Sequence, residues 1–440
     1  MTMLRSNPLM TSAAVVAAAF GLAACGSKKE ASVGPVIQGS TLTIYSSLPL
    51  QGAAGTQAEA IANAAKLAVA DMGGKVGKYK IRYISLDDST AAAGRAANSA
   101  VAANAGRGVG DPTTAGYLGE FNSGATTVSL PILNRAHIAQ VSPSNTYIGL
   151  TTNKPGSKPG EPAVYYPSGQ RTFARVVPPD DVQGAALVMT AADAGCKSIT
   201  IWNSGTAYGA GLARNVDIAA SKIVATFRKG PAGARVPAPA HRVKVDAIVR
   251  INPKAASYAA LAGGIKSNCF VFTGEIESNA VQVFKDVATA HPNEKLFGSD
   301  GVITNALASP TTGLPPNVAS HFEGTFPALG ATHASGSAKT FYGDFEKVYN
   351  TTSPDPYAIY GYEAMALLLN AIKRAEDAHG GNVTRADVAK ALLKTKNRKS
   401  VLGTYSIDSS GDPTLVQYGI YKIADGRLVF ANSVTVPRLA

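Results

Sequence analysis

The residues that could do chemistry are few and dispersed along the chain. The six histidines form no His-Glu-x-x-His pattern and no clustered ligand set, so the sequence does not support a metal site. It contains no Gly-x-Ser-x-Gly nucleophile elbow and no Gly-x-x-x-x-Gly-Lys-Ser/Thr phosphate loop. Asp87 and Asp88 are adjacent carboxylates, but neighbours in an extended chain point apart, which favours capping of the next helix. We therefore expect a protein that is not an enzyme and that needs no cofactor.

The cysteines offer a different kind of chemistry. Besides Cys25, the chain contains Cys196 and Cys269, and each of these two comes just before an apolar run, at residues 198–202 and 270–272. If the two runs are neighbouring parallel strands, both sulfur atoms lie at the same edge of a sheet, and a disulfide is geometrically reasonable. The alternative is a pair of free buried thiols.

Apolar runs of strand length alternate with helical patterns along the chain. Predicted strands lie at residues 42–45, 81–84, 117–118, 138–141, 198–202, 223–224 and 270–272. Predicted helices lie at residues 57–72, 91–105, around 125, 182–194, 211–221, 256–266 and 357–379. A β-rich segment follows at residues 401–434. Two segments rich in Pro and Gly, residues 153–169 and 228–240, are predicted to be loops or insertions.

Repeated βα units favour parallel sheets that are covered by helices on both faces. The break at residues 153–169 divides the units into two runs. The predicted fold class is therefore α/β, with two doubly wound parallel-sheet lobes. Ligands of such sheets bind beyond the carboxyl ends of the strands. We expect a cleft between the lobes that is lined by the loops at residues 49–52, 119–123, 142–146, 204–208, 274–275 and 299–301.

The N-terminus resembles the signal sequence of a bacterial lipoprotein. Arg5 provides a positive start, an apolar run follows at residues 13–22, and Leu22-Ala23-Ala24-Cys25 has the form of a lipobox. The alternative is a transmembrane anchor, but the apolar run has about ten residues and a span needs roughly 20. We predict a signal peptide at residues 1–24, a lipid on Cys25 and a flexible tether at residues 25–40. The mature protein is then exported, and it is anchored to the outer face of the cell membrane or lies in the periplasm.

The formal net charge of +12 raises the question of a nucleic-acid partner. The densest basic stretch, residues 222–250, contains Phe227 as its single Phe, Tyr or Trp, so it lacks the aromatic platform on which bases stack. An exported protein also meets little nucleic acid. We expect no nucleic-acid partner and interpret the basic residues as a solvated surface beside anionic lipid.

Several predicted loops carry motifs that resemble one family. The motifs are Pro49-Leu50-Gln51-Gly52, Leu86-Asp87-Asp88-Ser89, Val141-Ser142-Pro143-Ser144-Asn145-Thr146, Tyr208-Gly209-Ala210-Gly211 and Phe297-Gly298-Ser299-Asp300-Gly301. In this order, over residues 42–429, they resemble the type I periplasmic binding proteins, and among these the leucine/isoleucine/valine-binding proteins that serve ABC importers. The resemblance implies two lobes joined by a multi-strand hinge, and ABC permease subunits as partners.

The resemblance also implies domain boundaries and roles for individual residues. Lobe 1 would comprise residues 41–176 plus about 329–404, and lobe 2 residues 177–328 plus about 405–440. Ser144 and Thr146 would bind the carboxylate of an amino acid, and Asp300 would receive its ammonium group. Tyr208 and Tyr357 would face the ligand with an apolar ring and a polar tip. The alternatives are that the two hydroxyls only cap a helix, that the aspartate stabilises a Ser-Asp-Gly turn, and that the tyrosines are ordinary surface aromatics.

Three residues depart from the family pattern. Glu120 and Phe121 stand where the family often has a serine-rich loop, and either would reshape the carboxylate end of the pocket. Glu275 is a second acidic candidate, and two carboxylates would favour a more cationic or polyamine-like ligand. We predict the solute-binding component of an ABC importer for an amino acid (branched-chain-like) or related small polar solute. The alternatives are a ligand-sensing receptor subunit with the same fold and, less favoured, an exported hydrolase.

Overall fold

The computed structural model describes residues 34–90, 95–229, 235–328 and 330–436. The predicted signal peptide and Cys25 lie outside the described residues, as does most of the predicted tether.

A six-stranded sheet contains the first part of the chain. Its strands are β1 (Thr41–Leu48), β2 (Lys75–Val76), β3 (Tyr79–Asp87), β4 (Thr114–Gly119), β5 (Gln140–Ser142) and β6 (Phe173–Arg175). They are ordered β2-β3-β1-β4-β5-β6, and every neighbouring pair except β2 with β3 is parallel. Strand β1 lies in the middle and is almost fully buried, as expected of a strand covered on both faces.

A second sheet of seven strands contains the later part of the chain. The remaining strands are β7 (Ser198–Asn203), β8 (Ala225–Lys229), β9 (Arg235–His241), β10 (Lys244–Arg250), β11 (Cys269–Thr273), β12 (Lys295–Gly298), β13 (Phe322–Phe326), β14 (Arg398–Ser400), β15 (Gly403–Tyr405), β16 (Gln417–Ala424) and β17 (Arg427–Thr435). The second sheet is ordered β10-β7-β11-β12-β13-β16-β17. The neighbouring pairs from β10 to β13 in this order are parallel, and the pairs β13 with β16 and β16 with β17 are antiparallel. Strands β8 with β9, and β14 with β15, form separate two-stranded ribbons.

Helices connect the strands and cover the sheets. They are α1 (Gly55–Asp71), α2 (Asn98–Gly110), α3 (Ser123–Arg135), α4 (Asp180–Asp193), α5 (Ala207–Lys222), α6 (Ala259–Ala262), α7 (Ala280–Ala290), α8 (Asn305–Ala308), α9 (Pro316–Ala319), α10 (Gly336–Tyr349), α11 (Ala358–His379) and α12 (Arg385–Leu393). The Ala-rich α1 packs closely on α11. Gly361 permits this contact, because a Cβ there would lie 2.5 Å from the carbonyl oxygen of Ile61.

The chain passes between the two sheets more than once. After β6 it enters α4, which packs against α5 and β13 on the second sheet. After β13 it returns to α10, α11 and α12, which pack against α1 and the strands of the first sheet. It then rejoins the second sheet at β16. Two α/β sheets with interleaved chain segments confirm the predicted fold class, while the residue numbers of the lobe boundaries stay a prediction.

Three predicted elements differ from the structure. Residues 228–240 were expected to be a loop, but β8 and β9 form an antiparallel ribbon, because prolines are tolerated in strands that lie outside a central sheet. The expected helix at 256–266 is reduced to α6, which ends at the Gly263–Gly264 pair. The expected strand at 223–224 is not in the large sheet, where β10 occupies the edge beside β7.

The acidic turn after β3 also differs from expectation. Asp87 does not cap a helix, since α2 begins only at Asn98. Its carboxylate accepts hydrogen bonds from the backbone amides of Leu50 and Ser89 at 3.0 and 2.8 Å. Asp87 therefore stabilises the loop that follows β1.

Cys196 and Cys269 lie at one edge of the second sheet and are joined by a disulfide. Strands β7 and β11 are parallel neighbours, with Phe270 opposite Thr200. Cys196 precedes β7 and Cys269 begins β11, so their Cα atoms are 5.9 Å apart. Both side chains are fully buried.

Candidate ligand-binding site

A cavity lies where the carboxyl ends of strands from both sheets meet. Its empty volume is about 280 Å³, part of which is open to solvent. The residues that line it are Phe121, Asn122, Ser123, Ser144, Tyr208, Glu275, Asp300, Gly301 and Tyr357. Among these described lining residues none is Lys, Arg or His, whereas two are acidic.

The topology explains why residues so distant in sequence meet. Phe121 to Ser123 follow β4, and Ser144 follows β5, so both segments leave the first sheet at the same edge. Glu275 follows β11 and Asp300 follows β12, two parallel neighbours of the second sheet. Tyr208 lies in the first turn of α5, and Tyr357 directly precedes α11. Strand-end loops of parallel sheets are the usual place for a ligand site.

Asp300 is an acidic group of the cavity that two tyrosine hydroxyls hold in place. The hydroxyl of Tyr208 donates to its Oδ1 and the hydroxyl of Tyr357 donates to its Oδ2. Burial raises the pKa of Asp300, and the two hydroxyl donors partly offset this rise. Burial and then the nearby charge of Asp300 raise the pKa of both tyrosines well above the usual value. The carboxylate is therefore held in one orientation by hydroxyls that stay protonated.

A second carboxyl group lies behind Asp300. Asp180 begins α4 and is fully buried. Burial raises its pKa well above the usual value, and the charge of Asp300 adds to the rise. Gln183, one turn further along α4, donates to the Thr325 hydroxyl at 3.3 Å and lies close enough to Asp300 to lower its pKa. The start of α4 thus places a second buried carboxyl group near this end of the site.

Aromatic rings form the apolar wall of the cavity. Phe121 meets Tyr357 edge to face, with ring centroids 5.7 Å apart. Phe326 packs against the same tyrosine at 4.7 Å. Such pairs stabilise more than their buried area alone and fix the ring positions. The wall can accept an aliphatic or aromatic group beside the polar end.

The polar end of the cavity is the start of α3. Asn122 precedes this 13-residue helix, but its side chain does not cap it. Instead its Nδ2 donates to Glu277 at 2.9 Å. The first amides of a helix have no partner within the helix. In α3 the amides of Ala125 and Thr126 donate to the carbonyl oxygen of Asn122 at 3.0 and 3.2 Å, so the amides of Ser123 and Gly124 are the ones that can bind an anionic group. Ser144 stands beside them, and its hydroxyl donates to the carbonyl oxygen of Phe121 at 2.8 Å.

The sequence of the chain also matches a known protein family. Residues 41–427 match the sequence model of a family described as periplasmic binding protein. The chain belongs to this family. The match covers most of the chain and confirms the resemblance seen in the strand-end motifs.

Sequence relatives of this periplasmic binding protein match over a shorter length. The Leu/Ile/Val-binding protein homolog 1 of Brucella suis biovar 1 is 29% identical over 156 residues, which is 36% of this chain and 38% of that protein. The homolog 1 of Brucella abortus is 30% identical over 156 residues, which is again 36% of this chain and 38% of that protein. The matching segment thus spans less than two fifths of these relatives.

Solved structures share the fold over nearly the whole chain. A leucine binding protein from Thermotoga maritima aligns with a TM-score of 0.72 at 19% identity, covering 90% of this chain and 99% of that one. A branched-chain amino acid transporter substrate binding protein from Streptococcus pneumoniae, in complex with isoleucine, gives 0.68 at 17% identity, with shares of 90% and 99%. A solute binding protein of an ABC transporter from Rhodopseudomonas palustris, in complex with benzoate, gives 0.70 at 18% identity, with shares of 90% and 97%. At these identities the likeness shows the fold alone.

Most residues expected in the site of this periplasmic binding protein line the cavity. These are Phe121, Ser144, Tyr208, Glu275, Asp300 and Tyr357. Glu120 and Thr146 are not among the lining residues. Glu120 is fully buried in the core near Asp88, because adjacent residues of the extended loop point in opposite directions and Phe121 takes the cavity side. The backbone carbonyl of Thr146 accepts from the amide of Asp180 at 2.9 Å, so this residue lies at the start of α4.

Three lining residues were not singled out from the sequence. Asn122 and Ser123 lie in the predicted loop at 119–123, directly before a predicted helix. The signal that could have identified them is the start of a helix after a strand, because the N-terminus of a helix can bind an anionic group. Gly301 belongs to the Ser-Asp-Gly motif, in which the acidic side chain is the group that suggests a ligand contact. Its role is steric, since a Cβ at this position would lie 2.6 Å from the carbonyl oxygen of Gly274.

Two kinds of feature are absent from the described residues. No group of three or more His, Cys, Asp or Glu side chains is arranged to hold a metal ion within the described ranges. No helix in the same part of the chain has the length and apolar character that crossing a bilayer requires.

Proposed function

We propose that this periplasmic binding protein is the extracytoplasmic solute-binding component of an ABC importer and that its solute is an amino acid. The observation that carries the proposal is the buried carboxylate of Asp300, held by Tyr208 and Tyr357 in a cavity whose lining lacks basic side chains. A buried carboxylate is costly unless it is paired, and a ligand ammonium group supplies the partner.

The opposite end of the cavity suits the ligand carboxylate. The amides of Ser123 and Gly124 at the start of α3, with the side chains of Ser123 and Ser144 beside them, can bind this anionic group. An amino acid then bridges the two ends, with its side chain against Phe121 and Tyr357. The names of the relatives and structural neighbours, which include leucine- and isoleucine-binding proteins, support this solute class.

Aromatic acids are the second solute class suggested by the structural neighbours. The lining of the cavity argues against them here. A benzoate-like ligand brings a negative charge and no positive one, whereas the wall already carries Asp300 and Glu275. Like charges in a partly dehydrated site repel each other, so an amine-bearing solute fits better.

Ligand exchange requires the two sides of the cavity to separate. Tyr357, beside the helices of the first sheet, bonds to Asp300 of the second sheet, and Asn122 bonds to Glu277 in the same way. These contacts support a proposal in which lobe 1 (residues 41–176 plus about 329–404) and lobe 2 (177–328 plus about 405–440) close on the solute by hinge bending. The closed form would be recognised by the permease subunits.

Isothermal titration with amino acids and with benzoates tests the proposal. We expect at least one amino acid to bind, and a concentration 100-fold above its Kd to stabilise the protein by about 2.7 kcal/mol. Asp300→Asn should weaken this binding by about 30-fold or more, because losing one partner of a buried charge pair costs about 2 kcal/mol or more. Asp344→Asn removes a charge from a more exposed position on α10 and is the matched control. Binding of benzoates without any amino acid would contradict the assignment.

A separate proposal concerns the attachment of the protein to the membrane. We infer that the lipobox at residues 22–25 directs a lipid to Cys25 and that the following residues tether the binding domain near its permease. The family membership supports an extracytoplasmic location. Cys25→Ser should move the protein from the membrane fraction to the soluble exported fraction. Unchanged membrane association of this variant would rule out the lipid anchor.

A further inference from the structure

Glu275 stands on the same wall of the cavity as Asp300. Strands β11 and β12 are parallel neighbours with Phe272 opposite Gly298, and the two acidic residues follow these positions by three and two residues. The loops touch, since a Cβ at Gly301 would lie 3.3 Å from the Cα of Glu275. Both carboxyl groups line the cavity. The site therefore presents two acidic groups side by side.

The carboxylate of Glu275 is held in place by two hydroxyl groups. Thr206 donates to its Oε1 at 2.7 Å, and Ser278 donates to its Oε2 at 3.0 Å. Thr206 also caps α5, the helix that carries Tyr208. The residue as a whole is 6% exposed. A carboxylate that is buried, oriented and bordered by the cavity is built like a binding group rather than a solvated surface charge.

A further carboxyl group, that of Glu277, lies near Glu275, and none of the described residues that line the cavity is basic. Glu277 is two residues away and receives the Asn122 amide at 2.9 Å. Burial, and then the charge of Glu275, raise the pKa of Glu277, while Arg95 lowers it. Among the described lining residues none can neutralise Glu275. A cation from the ligand is the group that this part of the cavity lacks.

We propose that the solute carries a second positive group, beyond the ammonium assigned to Asp300, and that Glu275 receives it. The solute class is then a basic amino acid or a related diamine. The inference rests on the function proposed above and narrows the solute from amino acids in general to cationic ones. The carboxylate of a basic amino acid remains at the start of α3, and its alkyl chain lies against Phe121 and Tyr357.

Titration of the full chain with lysine and with norleucine tests the inference. The two ligands have similar chains, but only lysine carries a terminal ammonium group. We expect lysine to bind at least tenfold more tightly, and cadaverine to bind more tightly than pentylamine. Equal or tighter binding of norleucine would overturn the second subsite while leaving the amino-acid function intact. Binding of leucine or isoleucine by a protein that binds none of these amines would overturn only the second subsite, whereas binding of no amino acid at all would overturn both proposals.

Glu275→Gln assigns the effect to one residue. We expect this variant to weaken lysine binding at least tenfold and norleucine binding by much less. Glu346→Gln removes an exposed charge from α10 and should leave both affinities unchanged. Equal losses for the two ligands would show that Glu275 does not receive the second charge. The lysine-to-norleucine ratio of the unaltered protein tests the inference even if the variant does not fold.

Discussion

The buried ion pair of Arg175 and Asp412 provides a quantitative test of how the site is held together. Arg175 ends β6 and is fully buried, and its Nε donates to the Asp412 Oδ1 at 2.8 Å. Its Nη1 donates to the carbonyl oxygens of Asn145 and Tyr147 at 3.0 and 2.9 Å, and its Nη2 donates to the Thr151 hydroxyl. The guanidinium therefore ties the loop that carries Ser144 to the segment before β16.

Arg175→Met keeps most of the side-chain volume and removes every one of these donors. Asp412 is then a buried charge without its cation, a change that costs about 3–5 kcal/mol. The free energy of unfolding of a domain is about 5–15 kcal/mol in total, so this loss would be a large part of it. Urea unfolding followed by circular dichroism measures it, and the slope of the free energy with urea should stay the same.

The double variant Arg175→Met with Asp412→Leu separates the pair from the packing around it. Removing both charges leaves no unpaired ion, so we expect a smaller loss than for Arg175→Met alone. A loss below about 1 kcal/mol in the single variant would refute the role of the pair. So would a double variant that is less stable than the single one.

Two further predictions concern stability. Replacing Cys196 and Cys269 together by Ala should lower the free energy of unfolding by about 4 kcal/mol, because the disulfide closes a loop with a sequence separation of 73 residues; two free thiols in the unfolded, unreduced protein would contradict the bond. Burial raises the pKa of Asp88 and, more strongly, that of Glu120, so the folded state binds protons more tightly than the unfolded state. The contribution of this pair is therefore present below about pH 4 and is lost as the pH rises through the folded-state pKa values. Relative to the unaltered protein, Glu120→Gln should therefore be stabilised more at pH 8 than at pH 5. A difference in melting temperature between the two proteins that is the same at both pH values would argue against this.

The regular elements were predicted where the signal is local. The apolar runs and the helical periodicity predicted strand 42–45, which lies within β1, and helix 357–379, which contains the whole of α11. The β8–β9 ribbon was missed because Pro and Gly are read as loop signals, and only pairing with a second strand makes the segment extended. Helix 256–266 was overestimated because a periodic apolar pattern does not show that two consecutive glycines end the helix.

The sequence by itself determined which loops form the site and which chemical groups they offer. The alternation of strands and helices places the segments around Phe121, Ser144, Glu275 and Asp300 at strand ends, and parallel sheets bring such ends together. Only the tertiary structure decided which side chains face the cavity. Phe121 lines it while the adjacent Glu120 enters the core, because the direction of a loop side chain depends on the backbone path and on what packs against it.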